Sequence, residues 1–338
     1  MSDANKALIR KILSKMMVVS VILFAGSFLL SRLGNIQDTF AALLSASPII
    51  ILPIFALTII HIALYARILY ACLKLTGVNI NYRHVARLWL AQCFVNTMIP
   101  SGFFSGMAYL LIKVKKHSYN KVGVTMGVIL SIFVAYITIL FLFIATALLH
   151  INSPEINPVV KLSVQILAII VGMITVISII FAQQMPLLVR FLYHLRRGIN
   201  SLLPDIEPFD FIDPVKRAGG VVSRVGGRWT EIIEPVIDNL LLHAVGLSML
   251  WLSFHSLGYN VGLTAVITGY LVGVILTIVS ITPAGIGFVE VIMPITLTSF
   301  SIPLPIATAV TVIWRLFTVW LVLIAGGISF RAIEKQGK

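Results

Sequence analysis

Long apolar runs alternate with short polar or basic stretches along this chain, the apolar segments falling at roughly 16–33, 48–71, 122–149, 159–182, 237–257 and 304–330. Each is about as long as a helix must be to cross the hydrocarbon layer of a bilayer. Two further stretches, about 86–112 and 261–300, are similarly apolar but interrupted by Pro and Gly. The expected fold is therefore an all-α polytopic integral membrane protein, and the two interrupted stretches are the feature to be explained.

Charge decides how those stretches run. Arg83 and Arg87 precede the first; Lys113, Lys115, Lys116 and Lys121 follow it. A full crossing would put these basic groups on opposite sides, and the large basic loop 183–235 outside the cell. A stretch that dips in and returns leaves all of them, and both chain ends, facing the cytoplasm, as the excess of Lys and Arg in cytoplasmic loops requires. The same reasoning applied to 261–300 brings Arg331, Lys335 and Lys338 to that side as well. The expectation is about six transmembrane helices and two opposed re-entrant hairpins, whose irregular backbone is tolerated at membrane depth where protein encloses it.

The two interruptions resemble each other: Asn96-Thr97-Met98-Ile99-Pro100-Ser101-Gly102 and Ser280-Ile281-Thr282-Pro283-Ala284-Gly285. Breaks of one kind that enter from opposite faces suggest an inverted repeat, an architecture common in alternating-access carriers. The chain then reads as one transmembrane domain over 1–338, with a first half at 1–182, a cytoplasmic loop at 183–235 and a second half at 236–338. Within the loop, Leu187, Leu188, Phe191 and Leu195 recur at helical spacing, which suggests a helix lying on the membrane surface.

Composition agrees. The chain is 59% apolar and 11% charged with a mean hydropathy of +1.03, whereas soluble domains are about one quarter charged. The net charge of +13 fits positive-inside bias and also suits anionic headgroups. The first apolar run follows Lys6, Arg10, Lys11 and Lys15 but ends in no convincing cleavage site, so it is read as a retained helix. Cys72 and Cys93 have no ligand-like spacing. No nucleotide-binding loop is present and the seven histidines form no metal motif, so no cofactor, metal or internal motor is expected, nor is nucleic acid as a partner. Acids and histidines are too few for the usual polytopic lipid enzyme, and an enzyme is the least favoured class.

The candidate site centres on Glu290 and Arg315, the one acid and one strong base between Leu240 and Phe330. Each charge at the centre of a membrane helix costs on the order of 2.5–3.5 kcal/mol. Glu290 can complement the N-terminus of the helix restarting after Gly287, or bind a cationic group or a proton. Arg315 can pair with Glu290, or clamp a phosphate in bidentate fashion. Pro283, Gly285 and Gly287 would expose backbone donors beside them. Arg67 and Arg87 can snorkel to cytoplasmic headgroups or bind them. Asn96, just before Pro100, can cap freed backbone or contact a headgroup. Gly123-x-x-x-Gly127 and Gly269-x-x-x-Gly273 read as packing seams.

Pro283-Ala284-Gly285-Ile286-Gly287-Phe288-Val289-Glu290 matches the P-x-G-x-G-x-x-E of the lysylphosphatidylglycerol synthase transmembrane, or flippase-like, family. Arg315-Leu316 with Trp320 and Gly326 resembles its closing R-L segment, and Arg67 with Asn96 to Pro100 its earlier region. The chain departs from the pattern after Pro100, where Phe104, Ser105, Gly106, Met107 and Ala108 carry none of the family's charges. The resemblance implies a stand-alone lipid flippase or scramblase of the inner membrane. Its partners would be anionic or aminoacylated phospholipid or a polyprenyl-phosphate carrier, with a lipid-modifying transferase and a second copy of the chain as further candidates. The alternative is a non-catalytic membrane subunit that presents lipid to a transferase, with loop 183–235 as its docking surface; a third is a small-solute carrier.

Overall fold

The computed structural model describes residues 36–98, 104–115, 121–150, 172–173, 229–280 and 282–336. The expected span 16–33, most of 159–182, loop residues 183–228 and the first hairpin's tip with Pro100 lie outside them. Among the described residues every regular element is a helix, and none is a strand. The helices are α1 (Ile36–Leu44), α2 (Pro48–Leu75), α3 (Tyr82–Met98), α4 (Phe104–Lys115), α5 (Lys121–His150), α6 (Trp229–Ser256), α7 (Leu263–Val279), α8 (Phe288–Thr298), α9 (Leu304–Arg315) and α10 (Leu321–Gln336). A π-helical segment, Leu316–Trp320, joins α9 to α10 as one long rod. Four helical stretches are long and apolar enough to cross a bilayer: Pro48–Leu75, Gly123–Thr146, Thr230–Ser256 and Leu304–Lys335. They fall on four of the expected spans. Helix α6 starts at Trp229, so the last residues assigned to loop 183–235 are its opening turns.

The two interrupted stretches are hairpins. Helix α5 begins where α2 ends, since a methyl group placed on Gly127 would come within 3.0 Å of the Leu73 backbone. The chain between them therefore returns to the side it left. Lys113 at the end of α4 pairs with Glu334 of α10 at 2.6 Å, and Ile333 packs among Val85 and Leu88 of α3. The second hairpin has an explicit register: Gly269 faces Leu297, Gly273 faces Met293, and Gly285 at the tip closes on Thr277. Both Gly-x-x-x-Gly pairs thus contribute a glycine to a close helix approach. The Tyr259 hydroxyl donates to the Ser301 carbonyl at 3.4 Å, which brings the start of α9 to the end where α7 began.

The halves repeat. Helices of 28, 17, 12 and 30 residues (α2 to α5) recur as 28, 17 and 11 residues (α6 to α8) followed by a rod of 32. Leu263 follows Tyr82 by 181 positions (263 − 82) and Pro283 follows Pro100 by 183 (283 − 100). The repeat is inverted, because the equivalent helices α2 and α6 lie side by side in opposite directions. At one end the Ser47 N–H donates to the Ser256 carbonyl at 2.7 Å; at the other, Arg67 late in α2 meets Asp238 early in α6 at 2.8 Å. The hairpins enter from opposite faces and meet where α3 packs on the Pro283–Gly285 turn.

This topology sorts the charges. Lys74, Arg83, Arg87, Lys113, Arg331 and Lys335 all cluster at one end of the bundle. Segments 36–50 and 256–303, which form the other end and the second hairpin, contain no Lys or Arg. Ile49, Leu52, Ile324 and Ile328 are more than half exposed, as befits a surface facing lipid rather than water.

Candidate functional site

Chain direction at the second hairpin is reversed by three left-handed residues: Ala284 at φ 53°, Gly285 at φ 68° and Gly287 at φ 102°. Glycine adopts such angles at little cost, whereas a non-glycine residue there stores about 1–3 kcal/mol unless its surroundings hold it. Ala284 is held by Arg315. The guanidinium Nη2 donates to the Ala284 carbonyl at 2.8 Å, and its Nε donates to Glu290 Oε1 at 2.7 Å. Glu290 Oε2 accepts the Gly287 N–H at 2.7 Å, satisfying one of the donors a helix N-terminus leaves free.

Arg315 is only 1% exposed and Glu290 9%. The pair is therefore a closed triangle of carboxylate, guanidinium and hairpin tip, and both structural roles expected of Glu290, helix-end complement and partner of Arg315, are present together. A buried pair of this kind is viable because hydrogen bonds satisfy the oxygens that the partner does not. A phosphate reaches Arg315 only if the tip shifts. Directly after Arg315 the helix widens into the π segment, against which α2 packs. Such bulges are frequent at functional sites.

Across the break of the first hairpin, the contacts among the described residues are neutral. Asn96 Oδ1 accepts the Gly106 N–H at 2.6 Å and the Ser105 hydroxyl at 3.1 Å, so it caps α4 from across the break. Gly106 is obligatory for this contact, since a methyl group there would come within 2.6 Å of Asn96 and Gln92. Pro100 itself lies outside the described residues. Arg67 is not brought to the tips: it is 54% exposed and bridges to Asp238 at 2.8 Å and Glu234 at 3.5 Å. Arg87 is exposed at the basic end, one and a half turns into α3. Pro283, Gly285 and Gly287 form the tip with Glu290 and Arg315, while Arg67 and Arg87 lie apart from it.

Sequence reasoning missed Asp238, which is 3% exposed in the early turns of α6. The available signal was its place four residues after Glu234, a spacing that puts both acids on one helix face. It also passed over Asn239, whose Oδ1 accepts the Thr138 hydroxyl of α5 at 3.0 Å.

An inverted-repeat bundle with two opposed hairpins and a buried ion pair at one tip defines the class: a polytopic helical membrane protein with a buried polar site among its helices. The chain belongs to the family of the lysylphosphatidylglycerol synthase TM region, whose model matches residues 16–326. Among its relatives, the UPF0104 membrane protein MJ1595 of Methanocaldococcus jannaschii is 31% identical over 109 residues, 32% of each chain. The match thus spans about a third of that relative's length. The UPF0104 membrane protein PH1989 of Pyrococcus horikoshii is 21% identical over 269 residues, 76% of this chain and 78% of the relative.

Proposed function

We propose that this protein moves a lipid headgroup between the leaflets of the cell membrane, as a flippase or scramblase and without acting as an enzyme. The observation that supports this best is the Glu290–Arg315–Ala284 triangle at a re-entrant tip, at the level where the two hairpins meet. A guanidinium held by a carboxylate and a carbonyl is matched to phosphate, which can take the place of the carboxylate when the tip opens. The headgroup passes between the hairpins while the acyl chains remain in lipid. Either a phospholipid or a polyprenyl-linked phosphate fits this chemistry. The concentration of Lys and Arg at one end supports a cytoplasmic orientation for that end and for the C-terminus.

The test is leaflet access. In vesicles containing the wild-type protein, a labelled phospholipid of the inner leaflet should become accessible from outside faster than in protein-free vesicles. Rates no faster than in protein-free vesicles for anionic, aminoacylated and polyprenyl-linked probes alike would refute transport, and co-purification of a soluble transferase would then favour the lipid-presenting subunit.

A further inference from the structure

The rod that carries Arg315 changes character directly after it. Residues Leu316–Trp320 form a π-helical turn: the Leu321 N–H donates to the Leu316 carbonyl, five residues back rather than four. The Thr318 hydroxyl donates to the Trp314 carbonyl at 2.8 Å. Both features are known causes of bending, the bulge because it interrupts the i→i−4 ladder and the threonine because its hydroxyl competes with that ladder. Leu-Phe-Thr-Val-Trp holds neither Gly nor Pro, so no helix breaker in the local sequence compels the interruption.

The two sides of this turn serve different hairpins. On the α9 side, Arg315 holds Ala284 and Glu290 of the second hairpin. A methyl group on Gly273 of α7 would come within 3.0 Å of Trp314, whose ring lies edge-on to Tyr270 at 5.9 Å. On the α10 side, a methyl group on Gly326 would come within 2.5 Å of the Leu90 carbonyl of α3. The Phe330 ring lies 5.6 Å from Phe94 of α3 and 5.4 Å from Tyr109 of α4, and Glu334 pairs with Lys113 of α4. The apolar cores divide in the same way. Val310, Ile313 and Trp314 are buried with Val289 and Met293 of α8, whereas Ile333 is buried with Val85 and Leu88 of α3. Helices α2 and α5 reach both cores as unbroken α-helices and so form a frame, while the rod changes helix type between the two.

We propose that the π turn Leu316–Trp320 is a joint: α9 and the second hairpin tilt about it as one body, while α10 and the first hairpin stay together as another. A hinge of this kind concentrates the backbone change in a few residues between packed elements. The two bodies meet where α3 packs on the Pro283–Gly285 turn, so a tilt of α9 opens or closes that contact and uncovers or covers the Glu290–Arg315 pair. Thr318 sits in the joint and, through the Trp314 carbonyl, acts on the last turn of α9. The joint rests on the contacts made by the rod; its use in passing a headgroup between the tips rests on the transport reading above.

The experiment measures distances between paired spin labels by pulsed electron resonance, on the full chain in lipid nanodiscs with Cys72 and Cys93 replaced by Ser. The cross-joint pair is Ile112→Cys in α4 with Ile295→Cys in α8; the control pair is Ile112→Cys with Ile328→Cys in α10. All three side chains are more than half exposed. Deleting Thr318 shortens the i→i+5 turn to an i→i+4 turn and keeps the faces of α9 and α10 in register. With the chain otherwise unchanged, the cross-joint pair should occupy two distance populations and the deletion should lose one of them, while the control pair shows one population in both proteins. Thr318→Val keeps the chain length, and loss of its hydroxyl bond should shift the weights of the two populations by about fivefold. A single cross-joint population before the deletion, a distribution that a folded deletion variant leaves unchanged, or two control populations overturns the proposal. If the deletion variant does not fold, unchanged weights in Thr318→Val overturn it. Two populations in a protein that moves no lipid leave the joint standing and remove the transport reading.

Discussion

Arg315 survives at 1% exposure because every charge near it is matched: Nε by Glu290, Nη2 by the Ala284 carbonyl, and the remaining Glu290 oxygen by the Gly287 N–H. Removing one member of such a pair strands the other in a low-dielectric site. Arg315→Met should therefore lower stability by about 3–5 kcal/mol, read as a depressed unfolding midpoint in detergent. Glu290→Gln/Arg315→Met should lose less than the sum of the two single changes, because no uncompensated charge remains. Additive losses would show that the pair is not coupled. Gly285→Ala tests the tip separately. The added methyl meets the Thr277 backbone at 2.8 Å and φ is 68°, so a loss of about 1–3 kcal/mol is expected in the same assay. At the first hairpin, Asn96→Ala removes a cap across the break and should cost about 1–2 kcal/mol.

At the level of elements, two re-entrant hairpins rather than two full crossings make a distinct prediction for surface labelling. In a background with Cys72 and Cys93 replaced by Ser, cysteines at Lys113 and Arg331 should react with an impermeant thiol reagent from one side of the membrane. Cysteines at Ser45 and Ser301 should react only from the other. Reaction of Lys113 and Arg83 positions from opposite faces would make the first stretch a crossing. The hairpins were legible in the sequence because basic clusters flank the first on both sides and a membrane does not readily pass such charge. The Glu290–Arg315 pairing was legible as well, since no other strong charges share their apolar stretch. What Asn96 touches was not, because its partners Ser105 and Gly106 lie beyond a break whose geometry no periodicity encodes. Asp238 escaped notice for a related reason. It reads as the polar end of a loop until the helix is seen to begin at Trp229 and to place it opposite Arg67.

For the molecule as a whole, the inverted repeat is chemically unequal. Glu290 stands at the second hairpin where the first has Met107 (290 − 183), and Arg315 stands where the first half has Ile132 (315 − 183). Across the first break Asn96 makes neutral hydrogen bonds to Ser105 and Gly106, whereas the second tip is closed by an ion pair, so under the proposed transport reading a phosphate would compete for a partner at the second. Only there does the described chain offer a buried guanidinium to a phosphate. The most direct measurement is the rate at which a labelled phospholipid exchanges leaflets in vesicles carrying wild-type protein or Arg315→Lys. Lysine preserves the charge opposite Glu290 but lacks the planar fork that matches phosphate. If the Arg315 guanidinium binds the phosphate, this variant, with folding verified, should fall at least about tenfold toward the protein-free rate, equivalent to about 1.4 kcal/mol of lost stabilisation. Exchange by a folded Arg315→Lys protein at the wild-type rate would contradict it.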